Sequence, residues 1–98
     1  MTKFSRTQKF TKANIANIPQ DKAIIYKIKD SSGKNLYTGI AGRGRSQDRL
    51  IEHKDVKKEV IPGGTRIQIA QVKTKVKAHN IEKVIIKKEQ PKFNIHHK

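Results

Sequence analysis

Alternation of apolar and polar side chains predicts three strands. In the sequence AIIYKIK at residues 23–29, Ile24, Tyr26 and Ile28 alternate with Ile25 and two lysines. Such alternation is typical of a strand whose two faces differ. A turn cluster at residues 30–34 follows, and Asn35–Gly39 is predicted as a second short strand, so that the two strands form a hairpin. The same alternation in Thr65–Val72 predicts a third strand.

Helical spacing of apolar residues predicts two helices. One runs roughly from Gln47 to Glu59, with Ser46 as its N-cap. The other covers about Lys75–Lys88 and is ended by Pro91. The resulting order, β-β-α-β-α, predicts an α+β fold in which helices flank a small three-stranded antiparallel sheet.

The length of 98 residues fits one domain. We expect a basic N-terminal lead-in over residues 1–20, a folded domain over residues 21–94 and a tail over residues 95–98. A short helix is predicted around Thr11–Asn17. Four apolar residues of the lead-in would dock part of it on the domain: Phe4, Phe10, Ile15 and Ile18.

Charge is the strongest global signal. The chain has 23 Lys and Arg residues against 8 Asp and Glu residues, a formal net charge of +15. Residues 65–98 contain only two acids, Glu82 and Glu89. Such a field attracts polyanions and makes their binding sensitive to salt. Charge alone favours a protein that coats nucleic acid without catalysis.

Other features narrow the class of protein. There is no cysteine, which excludes a disulfide framework, a thiolate metal site and a cysteine nucleophile. The sequence has no apolar run long enough for a membrane span and no signal-peptide pattern, so a cytoplasmic protein with no membrane partner is expected. His79, His96 and His97 lack the spacing of a zinc site, and a disordered tail is expected instead.

Five polar residues have spacings that suit work on a phosphodiester. Tyr26 and Tyr37 lie on the two arms of the predicted hairpin, and Arg49 and His53 are four residues apart on one helix face. Glu82 is an acid within a strongly basic segment. Taken singly, each has a plainer explanation: packing for the tyrosines, a solvated face for the helix and a surface ion pair for Glu82.

Taken together, these residues resemble the GIY-YIG nuclease family. The resemblance spans about residues 21–94. It departs from the family pattern where Ile24 replaces the first glycine of the name and Thr38 replaces the second isoleucine. The residues that carry it are Ile24-Ile25-Tyr26, Tyr37-Thr38-Gly39, Arg49 with His53, Glu82, and the stretch from Pro91 to Asn94.

The resemblance implies an endonuclease that hydrolyses phosphodiester bonds and depends on a divalent metal. Glu82 would bind one Mg²⁺ (or Mn²⁺), which stabilises charge on the phosphate. Tyr26 would hold or deprotonate the attacking water together with His53. Because the ordinary pKa of tyrosine is about 10, Tyr26 would need cationic neighbours that lower its pKa. The candidates are Lys27, Arg43, Arg45 and Arg49.

The remaining roles also follow from the resemblance. Tyr37 would hydrogen-bond water or phosphate, and Arg49 would stabilise the transition state. Asn94 would brace the site by bonding to backbone. A separate set of cations, Lys27, Arg43 and Arg45, would contact nucleic acid.

Two further functions stay open alongside the nuclease. The chain could be a catalytically inactive, basic nucleic-acid-binding protein on the same fold. It could also be the nuclease domain of a toxin, an effector or a mobile element, with an acidic inhibitor protein as partner. DNA is favoured over RNA as the nucleic acid, and the oligomeric state is left open.

Overall fold

Four strands pair into one antiparallel sheet in the order β1-β4-β2-β3. The structure is a computed structural model that describes residues 4–55 and 60–97. Its elements are β1 (Gln8–Lys9), α1 (Lys12–Ile15), β2 (Ala23–Lys29), β3 (Asn35–Ala41), α2 (Ser46–Asp55), β4 (Arg66–Val72), α3 (Lys75–Glu89) and a 3₁₀ helix (Lys92–His97).

The central strand β2 fixes the register of the sheet. Tyr26 of β2 lies opposite Gly39 of β3 on one side and Ile69 of β4 on the other. Ile28 likewise lies opposite Tyr37. Since side chains opposite one another in an antiparallel pair project to the same face, this register places Tyr26 and Tyr37 on one face of the sheet.

The sheet has four strands, and the prediction of three is wrong by one. Gln8 and Lys9 pair with Ile67 and Arg66 of β4. The backbone continues this pairing beyond the strand, where the Ser5 amide donates to the Ile69 carbonyl at 2.7 Å. A two-residue strand is too short to show alternation, so its sequence carries no strand signal.

Each face of the sheet has its own apolar cluster. On the face of Tyr26, three apolar residues of the N-terminal segment pack with Leu50 of α2: Phe10, Ile15 and Ile18. On the opposite face, α3 contributes Ala78 and Ile85, which pack against Ile25 of β2. With apolar surface buried on both sides, Ile25 on one face of β2 and Tyr26 on the other are both fully buried.

The start of α2 is tied to the chain segment that precedes β2. Ser46, predicted as the N-cap, is instead the first helical residue, and its hydroxyl donates to the Pro19 carbonyl at 2.7 Å. The Gln47 side chain donates to the Ile18 carbonyl at 2.9 Å. The helix is described as far as Asp55, and the rest of its predicted length, residues 56–59, lies outside the described residues.

The other predicted elements are present, with ends displaced by two residues at most, which is the usual uncertainty of element boundaries. The expectation of a disordered tail is wrong as far as His97, because a 3₁₀ helix covers Lys92–His97. The helix predicted around Thr11–Asn17 is shorter, with only four residues in α1. Within residues 4–55 and 60–97, no helix combines the length and the apolarity that crossing a membrane requires.

Candidate active site

Tyr26 and His53 form a buried hydrogen-bonded pair. The Tyr26 side chain is fully buried beneath α2, and its hydroxyl lies 2.7 Å from Nε2 of His53. Either partner can donate this bond, depending on the histidine tautomer. The helical spacing of four residues places Arg49 and His53 on the same face of α2, and this is the face that meets the sheet.

Tyr37 completes an aromatic triad with these two side chains. Its ring centroid lies 6.2 Å from that of Tyr26 and 4.9 Å from that of His53. Both separations are contact distances for tilted rings. The packing expected of paired hairpin tyrosines is therefore present, and it brings both phenol rings into contact with one imidazole.

Gly39 makes this arrangement possible. A Cβ added at Gly39 would lie 2.5 Å from the Tyr26 hydroxyl oxygen and 2.8 Å from a ring carbon of Tyr37. The Tyr26 phenol thus lies directly over the backbone of its cross-strand partner. Glycine in a strand interior often marks such a close approach, and here it explains the last residue of the Tyr37-Thr38-Gly39 triplet.

The charges of α2 and α3 meet at the Tyr26 hydroxyl. Arg49 acts on the phenol through both its charge and a hydrogen bond, and Glu82 of α3 acts on it through its charge. Arg49 also bonds to Glu52 one turn further along α2, with Nη1 to Oε1 at 2.7 Å. The guanidinium is therefore already shared between the phenol and a carboxylate.

The pKa of Tyr26 lies well above its ordinary value, which contradicts the sequence prediction. Burial is the largest cause, and the charges of Tyr37 and Glu82 raise it further. Of the four candidate cations, Arg49 is the one whose charge lowers it, and its effect is outweighed. Tyr26 is therefore a neutral phenol at physiological pH.

Glu82 supplies one partly buried carboxylate whose charge acts on the Tyr26 phenol. Its side chain is 19% exposed, and Oε1 lies 3.7 Å from Nδ1 of His79 on the preceding turn. In the described part of the chain, no three His, Cys, Asp or Glu side chains form a metal-binding cluster. A single carboxylate suits Mg²⁺, which keeps several waters and takes phosphate oxygens as further ligands, so the donor set fits that ion.

Lys27 lies on the opposite face of the sheet from Tyr26. Its ammonium bonds Glu89 of α3 at 3.0 Å, and its side chain is only 14% exposed. The prediction that Lys27 lowers the pKa of Tyr26 is therefore wrong. Its contact with nucleic acid stays a prediction, and in the structure the ammonium is paired with Glu89. Alternation along β2 determines this placement.

Arg43 and Arg45 project from the loop between β3 and α2. Both are exposed. The Arg45 guanidinium lies 3.7 Å from an oxygen of Glu52 and 3.9 Å from one of Asp48, with 61% of its side chain exposed. Exposed ion pairs of this kind are weak, so both arginines stay predicted contacts for a nucleic-acid backbone.

Asn94 bonds the backbone of β3 with both ends of its amide. Its Oδ1 accepts from the Thr38 amide at 2.7 Å, and its Nδ2 donates to the Thr38 carbonyl at 2.9 Å. Thr38 is the residue between Tyr37 and Gly39, so the bonds fix the backbone on which the triplet depends. Asn94 itself is buried.

Two groups near the site were not predicted. Glu52 pairs with Arg49, and a signal existed, since the two residues are three apart on one helix. Glu89 bonds both Lys27 and Asn35. No local pattern could reveal that contact, because 54 residues or more separate Glu89 from each partner.

Similarity to known proteins is found at the level of structure. No protein-family model matches the sequence, and no curated protein matches it. The N-terminal GIY-YIG endonuclease domain of UvrC from Thermotoga maritima, bound to magnesium as its catalytic cation, superposes with a TM-score of 0.72 at 24% identity, covering 85% of this chain and 93% of that domain. A variant of that domain with tyrosine replaced by phenylalanine gives 0.71 at 23% identity, covering 85% of this chain and 92% of that one.

A second variant of that domain, with asparagine replaced by alanine, gives a TM-score of 0.70 at 24% identity, covering 83% of this chain and 90% of that one. The superpositions therefore include most of both chains. The protein has the GIY-YIG fold.

Proposed function

We propose that this protein is a divalent-metal-dependent endonuclease that hydrolyses phosphodiester bonds in nucleic acid. One observation supports this more than any other: groups from β3, α2 and α3 act together on the hydroxyl of Tyr26 in β2. A phenol, an imidazole, a guanidinium and a carboxylate are the groups needed to move a proton, stabilise a phosphorane-like charge and hold a cation. The similar UvrC domain is described as an endonuclease bound to its catalytic divalent cation.

In this proposal Tyr26 and His53 activate the attacking water as a pair. The neutral phenol is a poor base by itself, because burial holds its pKa high. It becomes a useful acceptor if its own proton passes to His53 Nε2, which is 2.7 Å away. Imidazole is the side chain that most often transfers protons near neutral pH. Tyr37, in contact with both rings, would hydrogen-bond the water or a phosphate oxygen.

Arg49 would stabilise the charge that develops on the phosphate. Its guanidinium bonds Glu52 in the free protein, so a substrate phosphate would take the place of that carboxylate. Exchange of one anionic partner for another keeps the guanidinium paired throughout, which limits the cost of desolvating it. Glu82 would hold the divalent cation, and a cation there supplies charge stabilisation to the phosphate oxygens.

The basic surface suits the backbone of DNA rather than a particular sequence. Cations contact phosphates irrespective of the bases, so they position the substrate without reading it. Arg43 and Arg45 are exposed in the loop that precedes α2. We propose that this loop contacts the strand that is cut.

Cleavage assays test the proposal directly. Purified protein is incubated with plasmid DNA, single-stranded DNA and transfer RNA, in Mg²⁺ or in EDTA. Cleavage is expected in Mg²⁺ and not in EDTA, and DNA should be cut faster than transfer RNA. Glu82→Gln should reduce the rate roughly a hundredfold or more, as expected when several kcal/mol of transition-state stabilisation are lost.

A matched variant separates the site from the overall charge. Asp48→Asn removes one negative charge from an exposed position of α2 and should leave cleavage unchanged. If Glu82→Gln cut at the wild-type rate, the proposed nuclease site would be wrong. If the wild type bound DNA in a salt-sensitive manner and cut nothing with Mg²⁺ or Mn²⁺, the inactive binding protein would replace the enzyme.

A further inference from the structure

Outside the site just described, Glu89 at the end of α3 hydrogen-bonds residues of two different strands. One oxygen of its carboxylate accepts from Lys27 of β2 at 3.0 Å, and the other accepts from Asn35 of β3 at 3.0 Å. Burial raises the pKa of this carboxyl. The hydrogen bonds from Lys27 and Asn35, with the charges of Lys27 and Lys29, outweigh that effect and hold the pKa below its usual value.

The contact continues into the backbone around the triplet. The amide nitrogen of buried Asn35 also donates to the Thr38 hydroxyl at 2.7 Å. Thr38 in turn is held by Asn94, which follows α3 in the chain. The last turn of α3 and the segment after it are thereby bonded to Asn35 and Thr38 of β3, which lie on either side of Tyr37 in the chain.

From these contacts we infer that Glu89 is a positioning residue: its carboxylate sets the rotation of α3 on the sheet and so the direction in which Glu82 faces. The inference rests on the proposed function, in which Glu82 holds the cation. The two acids are seven residues apart, which in an α-helix means about 20° of rotation and roughly 10 Å along the axis. They therefore lie on nearly the same stripe of α3.

The geometry makes helix rotation a sensitive variable. A carboxylate about 5–6 Å from the helix axis moves roughly 2 Å when the helix turns by 20°. That displacement equals a whole Mg–O bond length of about 2.0–2.1 Å. A rotation of α3 by this amount would therefore move the Glu82 carboxylate out of bonding distance of the cation.

The apolar contacts between α3 and the sheet, taken alone, determine the rotation of α3 about its axis only weakly. Buried Ala78 and Ile85, with partly buried Ile81, form the α3 side of the cluster on this face. Such contacts are not directional, whereas the bonds of Glu89 to two strands are. Stability alone is a poor account of the network, because an ion pair whose carboxylate is 34% exposed contributes little and the Asn35 Oδ1 is buried without a hydrogen-bond partner in the described structure. Orientation is the better explanation.

Metal binding, measured without substrate, tests the inference. Mn²⁺ affinity is determined by electron paramagnetic resonance for the wild type, Glu82→Gln, Glu89→Ala and Glu89→Gln. Glu89→Ala should bind Mn²⁺ about tenfold more weakly, as is usual when a group that orients a metal ligand is lost. Glu89→Gln removes the same charge but keeps an oxygen that can accept from Asn35, so its affinity should stay within about threefold of the wild type.

Two further comparisons make the result decisive. Phe10→Leu perturbs the core on the opposite face of the sheet and serves as a control for lost stability, with thermal unfolding measured for every variant. Wild-type affinity in Glu89→Ala, equal weakening in both Glu89 variants, or equal weakening in Phe10→Leu would each overturn the positioning role. If the wild type bound Mn²⁺ no better than Glu82→Gln, the proposed metal site itself would fail instead.

Discussion

Replacement of Gly39 by alanine introduces one methyl group against the buried phenol of Tyr26. The added Cβ would lie 2.5 Å from the Tyr26 hydroxyl oxygen, 2.6 Å from its Cζ and 2.8 Å from Cε2 of Tyr37, whereas ordinary van der Waals contact begins at 3.4 Å. The Tyr26 ring must therefore move by about 1 Å to restore contact. It is not free to do so, because His53 bonds its hydroxyl at 2.7 Å.

Two opposing effects decide the sign of the stability change. Alanine is favoured over glycine in a strand interior by roughly 0.5–1 kcal/mol, since it loses less backbone entropy on folding. Forcing a methyl group into a packed core costs typically about 1–3 kcal/mol. We therefore expect Gly39→Ala to lower the free energy of unfolding by about 1–2 kcal/mol. Displacement of the phenol by ~1 Å should reduce cleavage up to ~10²-fold.

Urea unfolding followed by circular dichroism, together with plasmid cleavage in Mg²⁺, measures both effects. Gly42→Ala is the matched control, because the nearest atom to a Cβ added there is a lysine side-chain carbon at 4.0 Å. It should be neutral or slightly stabilising, and fully active. The reasoning is refuted if Gly39→Ala equals Gly42→Ala in both stability and cleavage.

Three other perturbations have defined outcomes. Asn94→Ala removes both bonds to the buried Thr38 backbone and should cost about 2 kcal/mol in urea unfolding; a change below about 0.5 kcal/mol would contradict this. Deletion of residues 1–10 removes β1 and buried Phe10 and should cost roughly 3 kcal/mol or more, whereas unchanged thermal unfolding would show that the segment adds nothing. The folded pKa of Glu89 lies below its ordinary 4.5, so its contribution to stability is present above about pH 4.5 and is lost as pH falls through the folded pKa. The urea midpoint of Glu89→Gln should accordingly lie below that of the wild type at pH 7 and approach it at pH 3; an equal gap at both values would contradict the shift.

Alternation and spacing along the sequence predicted most of the fold. The positions of Tyr26 among alternating isoleucines, and of Arg49 and His53 four apart, are properties of single elements, and local geometry determines them. The same alternation already implied that Lys27 faces away from Tyr26. Lys27 was one of four candidate cations for the phenol, and adjacency in sequence does not place its ammonium beside the phenol.

Other features depend on contacts between distant parts of the chain. The strand β1 consists of two residues whose strand conformation comes from pairing with residues of β4 that lie 59 and 57 positions away, so tertiary context decides it. The raised pKa of Tyr26 follows from its complete burial. A sequence with few hydrophobic residues does not predict burial of that extent. The bonds of Ser46 to Pro19 and of Glu89 to Asn35 are likewise visible only after the chain has folded.

The two hydrogen bonds between the Asn94 side chain and the Thr38 backbone have a consequence for self-association. Because β3 is the outermost strand of the sheet on its side, its outward amide and carbonyl groups form a template on which another chain could add a strand and start aggregation. Asn94 presents one acceptor and one donor to Thr38, which is the pattern that an added strand would present. A single carboxamide thereby acts as a one-residue strand and blocks the middle of an edge that would otherwise be open to aggregation.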